Sequence, residues 1–191
     1  AFEDVGVQML AVHGRTREQG YKGEAEYDTV AAVKAAVKIP VVANGDITTP
    51  ERAQAVLKAT GADAIMIGRA AQGRPWIFRE INHFLATGTH LAPPLISEVK
   101  GLLVAHLHDH YSLYGEFIGV RSARKHIGWY VRELPGGEAF RAQMNTLDTS
   151  TAQVAAVEDF LDDLNEHTDR IPAPGWTAGI RGRDMTMETA P

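Results

Sequence analysis

The stretch IPVVANGDITTPERAQAVLKATGADAIMIGRA, residues 39–70, decides the fold. Ile39 to Ala43 is a short apolar run of a length suited to a buried strand. Thr49 reads as an N-cap, and Pro50 as the first helical residue, where its missing N–H costs nothing. The helix runs to about Thr60 and stops at Gly61, a residue suited to the left-handed C′ position. Ala64-Ile65-Met66-Ile67 is the next strand. Strand, helix and strand in so short a span make a βαβ unit.

The same alternation extends in both directions. Upstream, Val7 to Val12 reads as a strand and Thr29 to Val37 as a helix, with Val30, Val33, Ala36 and Val37 at helical spacing. Downstream, Pro75 opens a helix that Gly88 closes. Apolar strands between amphipathic helices predict an α/β fold with parallel strands covered on both faces. Two architectures fit: an open doubly wound sheet and a (β/α)8 barrel. Three parallel strands leave both sheet edges open, and Phe2-Glu3-Asp4-Val5-Gly6 reads as the last turn of a helix with nothing before it. A fragment that begins mid-domain is therefore expected.

Beyond Ala92-Pro93-Pro94-Leu95, which reads as a linker, the pattern becomes helical. Ser97 is the expected cap of a helix reaching about Tyr114. Further helices are predicted over about 117–133, 138–146 and 152–165, with Pro135-Gly136-Gly137 as a break. The expected organisation is an α/β part over 1–91, an all-helical domain over 95–167, and a disordered tail over 168–191.

Bulk properties exclude several classes. The chain has 191 residues, 45% of them hydrophobic, and no run long enough to span a bilayer. It has no cysteine, so thiolate and disulfide chemistry are absent from it. Its first residues have neither the basic nor the apolar region of a signal peptide, and a cytoplasmic setting is expected. The net charge of −5 argues against nucleic-acid binding by the whole surface. The charges are segregated, however. Asp148 to Asp169 contains seven acids and no Lys or Arg, whereas Arg121, Arg124, Lys125 and Arg132 share one broad face of a predicted helix. Val120, Ile127 and Val131 fall on its packed side, and Trp129 and Tyr130 are candidates for packing or stacking. Such a face can neutralise phosphates locally, although a solvated helix face is the plainer reading.

In parallel α/β folds, binding groups gather at the carboxyl ends of strands. Here the three ends are His13-Gly14-Arg15-Thr16-Arg17, Asn44-Gly45-Asp46 and Gly68-Arg69-Ala70. Each is polar and each holds a glycine, which lets a ligand approach the backbone. Turn N–H groups and the Arg69 fork favour an anion such as phosphate. His106 and His110, four residues apart, lack a Glu-x-x-His context, so no metal site is expected. Arg74 is a weaker phosphate candidate. Pro75 and Trp76 read as a helix start and a core anchor.

HGRTREQGYKGEAEYD, IPVVANGDI, GADAIMIGRAAQGRPWIFREI and GVRSARKHIGWYV together resemble the tRNA-dihydrouridine synthase family, particularly its bacterial B-type branch, over about residues 5–165. The resemblance implies the last three β/α units of an FMN-binding (β/α)8 barrel followed by a helical tRNA-binding domain. It implies an enzyme that uses NADPH to reduce FMN, and reduced FMN to saturate the uracil 5,6 double bond in tRNA. Carried over residue by residue, Asn44, Gly45 and Asp46 match an FMN-binding turn, Gly68 and Arg69 the FMN phosphate site, and His13 the flavin-proximal histidine. Arg15 and Arg17 would face the RNA or the uracil, and Arg121, Arg124 and Lys125 the tRNA. The family's general acid is a cysteine on the first half of the barrel, and a flavin-contacting lysine lies one strand before the position of His13. This chain holds neither, so by itself it is expected to be inactive, and the whole protein is expected to be a monomer without metal. Two other readings stand beside this one: another FMN or sugar-phosphate barrel, and a non-catalytic RNA-binding module.

Overall fold

A computed structural model describes residues 2–172. Its contacts divide the chain into two compact units, 1–91 and 92–191. The first opens with a 3-10 turn, Glu3–Val5, closed by Gly6 at φ 86°. Three strands follow, β1 Leu10–His13, β2 Val41–Asn44 and β3 Ala64–Met66, with α1 Asp28–Ala36, α2 Pro50–Thr60 and α3 Ile77–Thr87. All pairings are parallel and the spatial order is β1-β2-β3. This sequential order agrees with one stretch of a barrel wall.

The local signals act where the residues place them. Thr49 Oγ1 accepts the Arg52 N–H at 3.1 Å, and Gly61 ends α2 at φ 64°. Asp63 fastens β2 to β3, its carboxylate accepting the Val41 N–H at 2.8 Å and Lys34 Nζ at 2.6 Å. Val41 and Ala43 are fully buried and join Val30, Ala53, Val56, Ile77 and Ile81 in one core. Side chains alternate along a strand, so Val42 and Asn44 point to the opposite face, where they are half-buried.

Some expectations need correction. The first strand begins at Leu10 rather than Val7, and its residues are half-buried or exposed in alternation. Burial on both faces is therefore not observed for this edge strand, because helices cover only the Val41–Ala43 side. Helix α3 starts at Ile77, with Pro75 in the turn before it and Trp76 buried at its N-cap.

The second unit contains α4 Ile96–Val131, α5 Gly137–Met144 and α6 Ser150–His167. Leu95, not Ser97, precedes the first turn of α4, and it makes no side-chain cap bond. Gly115, at φ 70° and ψ 173°, breaks α4 into two arms; this is the break expected between Tyr114 and Phe117. The arms fold back on each other. Leu103, Leu107 and Tyr111 of one share a core with Val120, Ala123 and Ile127 of the other. The corner is tight, since a Cβ on Gly119 would lie 3.1 Å from the Tyr111 ring. Gln153 of α6 is fully buried, and the Tyr111 hydroxyl donates to its Oε1 at 2.8 Å while its Nε2 donates to Val120 O at 3.1 Å.

The first residues expected in the tail are instead held in place. Asp169 O accepts the Ile96 N–H at 2.9 Å, Ile171 N–H donates to Pro94 O at 3.0 Å, and Arg170 bridges Leu95 in antiparallel fashion. The rest of the expected tail, 173–191, lies outside the described residues.

Candidate functional site: three strand ends and a basic helix face

Parallel register sets the first site. His13 is abreast of Asn44, and Asn44 of Met66, so the three strand ends form one row. The Asn44 carboxamide joins them. Its Nδ2 donates to Met66 O at 2.7 Å, which leaves Oδ1 to accept. His13 Nδ1, 2.6 Å from that oxygen, is then the donor. This fixes the ring's orientation and leaves Nε2 as an acceptor in the neutral imidazole.

The loop after β1 folds over the turn after β2. Gly14 N–H donates to Asn44 O at 2.8 Å, and Glu26 N–H to Gly14 O at 2.8 Å. The approach excludes side chains: a Cβ on Gly14 would sit 2.5 Å from Glu26 O, and one on Gly45 would sit 2.6 Å from Ala25 Cβ. Gly45 also has φ 138°. The Tyr27 hydroxyl donates to Gly45 O.

Asp46 is the hub of this turn. It takes the left-handed region at φ 44°, which Asp tolerates better than most residues. Its Oδ2 accepts the Ala25 N–H at 2.8 Å and Arg15 Nη2 at 2.5 Å, and its Oδ1 accepts Arg69 Nη2 at 3.1 Å. The Arg15 hydrogen bond, with help from the Ala25 amide and Arg69, holds this carboxyl below the usual carboxylate range.

The predicted residues thus separate by role. His13, Asn44, Gly45, Asp46 and Arg69 are brought together. Arg15 is only 11% exposed and is engaged by Asp46 and by the carbonyls of Lys22 and Gly23; it braces the loop. Arg17 is exposed on that loop. The Arg69 side chain is 55% exposed and lies 4.9 Å over the Tyr21 ring. Gly68 has open space where a Cβ would project. An anion can therefore reach the backbone at Gly68 beside a guanidinium already held in place, which suits a phosphate group. Tyr21 was not singled out from sequence; its position eight residues beyond His13 carries no periodic signal. Arg74 pairs with Glu80 at 2.6 Å, an interaction internal to the α3 region.

The helix face in the second unit also divides. Arg121 and Lys125 are exposed. Arg121 lies over the Phe117 ring at 3.9 Å, and Lys125 over Trp129 at 4.9 Å. Arg124 turns the other way, donating to Leu147 O at 3.0 Å and to Asp148 at 3.1 Å, and so ties α4 to the loop before α6. Val120, Ile127 and Val131 are buried, as their spacing indicated. His106, His110 and His126 lie together, with ring centroids 5.0–6.4 Å apart. Among the described residues, however, no group of three or more His, Asp or Glu is placed to hold a metal ion. Nor is any helix among them long and apolar enough to cross a membrane.

Comparison with known proteins gives one answer. The sequence profile of the dihydrouridine synthase (Dus) family matches residues 1–165. The tRNA-dihydrouridine synthase B of Pseudomonas putida is 54% identical over 176 residues, covering 92% of this chain and 52% of the relative. That of Pseudomonas aeruginosa is 58% identical over 158 residues, covering 83% and 48%. That of Vibrio cholerae is 55% identical over 162 residues, covering 85% and 50%. The chain thus spans about half the length of these relatives. It belongs to the dihydrouridine synthase family.

Proposed function

We propose that this member of the dihydrouridine synthase family forms the carboxyl-terminal part of a tRNA-dihydrouridine synthase, with the last three β/α units of a (β/α)8 barrel and an all-helical RNA-binding domain over 95–167. In that reaction FMN, reduced by NADPH, supplies the hydride that saturates the uracil 5,6 double bond. The contribution of this chain is positional. Gly68 and Arg69 hold the FMN phosphate, Arg69 being kept in place by Asp46. Asn44 would orient His13 beside the flavin, and Gly45 lets the loop carrying Ala25 pack onto this turn. Arg17, Arg121 and Lys125 contact the tRNA backbone, while Arg15 and Arg124 act through the loops they brace. The general acid is a cysteine supplied by the other half of the barrel. The whole protein works as a cytoplasmic monomer, without metal.

The observation that carries this reading is the row His13, Asn44 and Met66, with the Asp46–Arg69 pair beside the open backbone of Gly68. Those groups suit a flavin and its phosphate, and the relatives that share the sequence are named for tRNA dihydrouridine synthesis. The test is a hybrid. Residues 1–165 replace the matching half of the Pseudomonas aeruginosa relative, and the hybrid is produced in a bacterium lacking its own dihydrouridine synthases. Dihydrouridine is expected to return to the tRNA. A soluble hybrid that retains flavin yet leaves tRNA without dihydrouridine would refute the proposal.

A further inference from the structure

Phe117, Arg121, Lys125 and Trp129 follow one another at four-residue intervals along the second arm of α4, so they lie on one face. Their order is aromatic, cation, cation, aromatic, and each cation lies over its neighbouring ring. Phe117 is 68% exposed. Beside it at the bend are Leu113, Tyr114 and Ile118, all largely exposed. The neighbouring carboxylate, Glu116, is turned away: it accepts the Ser150 N–H and the Ser150 hydroxyl, both at 2.6 Å, at the start of α6. Near the far end, Arg141 of α5 comes within 3.5 Å of where a Cβ on Gly128 would be, adding a third cation beside the row.

A purely electrostatic phosphate grip needs cations and no exposed rings. A purely hydrophobic contact with another protein gives the two cations no role. Two cations between two rings suit a ligand with both a π-face and an anionic backbone, namely an unpaired nucleotide. Guanidinium over phenyl also forms a flat, pre-arranged platform on which a base can stack without ordering two free side chains. We infer that the Phe117–Trp129 face is a base-stacking site for unpaired nucleotides of the RNA substrate, with Phe117 and Arg121 as its platform and Lys125 and Arg141 neutralising the flanking phosphates. This rests on the reading of α4 as an RNA-facing element, and it adds a sequence-tolerant contact to bases that a phosphate grip lacks.

The test uses the hybrid protein that joins residues 1–165 to the other half of the Pseudomonas aeruginosa relative, with three probes: an unmodified tRNA transcript, a short oligouridine and a blunt RNA duplex without loops. Phe117→Leu keeps apolar bulk and removes the ring, and Phe117→Tyr keeps the ring. Phe117→Leu is expected to weaken tRNA and oligouridine binding about tenfold, with duplex binding unchanged. Phe117→Tyr is expected to restore it. The salt dependence should stay the same in Phe117→Leu and become shallower in Lys125→Gln, which loses a phosphate contact. Equal tRNA and oligouridine affinity for wild type and Phe117→Leu, with Lys125→Gln still weakened, would overturn base stacking and leave the phosphate grip standing. No tRNA binding by the hybrid with the wild-type sequence at these positions would overturn both. Unchanged RNA affinity with a loss of self-association in Phe117→Leu would assign the face to protein contact, and would equally overturn the inference.

Discussion

Asp46 shows how one side chain sets several others. It satisfies a backbone amide of the loop above it, fixes Arg15 inside that loop, and steadies Arg69 at the edge of the site. Charge-assisted bonds of this kind exceed neutral ones, although partial exposure of the carboxylate lets solvent reduce them. Asp46→Asn keeps the left-handed backbone and an acceptor for Ala25 but removes the charge. It is expected to lower the unfolding free energy by about 1 kcal/mol at neutral pH, measured by urea denaturation. The sign with pH follows from the lowered folded-state pKa. The contribution is fully present above the ordinary aspartate value of about 3.9 and is lost as pH falls through the folded-state value. The gap between wild type and Asp46→Asn should therefore close below about pH 4. A gap that stays constant into acid would remove Asp46 from the role of charged hub.

At the scale of the element, α4 joins two jobs. Its bend at Gly115 lets the first arm pack against the second, and this pairs His110 Nε2 with Ser122 Oγ at 2.7 Å and places His106 and Tyr114 around His110. His126 lies between His106, His110 and Trp129, beside Lys125. Desolvation, reinforced by the neighbouring histidines and, for His126, by Lys125, pushes the pKa values of His110 and His126 below the ordinary histidine value. An unfolded chain then takes up these protons first. Stability from the neutral pair is present above about pH 6.5 and is lost as pH falls through the folded-state values. The melting temperature of the helical unit is expected to fall between pH 7 and pH 5, and His126→Gln should flatten part of that fall. An identical slope in the variant would show that other groups set the pH dependence.

The molecule as a whole was legible in sequence wherever the signal was local. Thr49-Pro50 and Gly61 bounded α2, the break at Gly115 falls between the helices expected to end near Tyr114 and start near Phe117, and the polar strand ends marked the candidate site. Long-range partners were not legible. Arg15 meets Asp46 across 31 residues and Arg124 meets Asp148 across 24, and helical spacing puts a residue on a face without naming what lies opposite. For the same reason both arginines read as surface cations in sequence and are internal struts in the fold. Residues 168–172 looked like tail because they lack periodicity, yet backbone hydrogen bonds to Pro94 and Ile96 hold them. Such bonds leave no mark in side-chain pattern. The three parallel strands place their polar ends at one end of the sheet, the end at which parallel α/β folds bind ligands.

The proposed function requires electrons to flow from a flavin held partly by this chain to tRNA. The most direct measurement is made on the purified hybrid that joins residues 1–165 to the other half of the Pseudomonas aeruginosa relative. Its bound flavin is reduced with NADPH without oxygen, mixed with unmodified tRNA transcript, and followed by absorbance. Reoxidation that depends on the tRNA is expected, accompanied by dihydrouridine in the RNA. Flavin that binds and is reduced, yet stays reduced with tRNA as it does in buffer, would refute the proposed function.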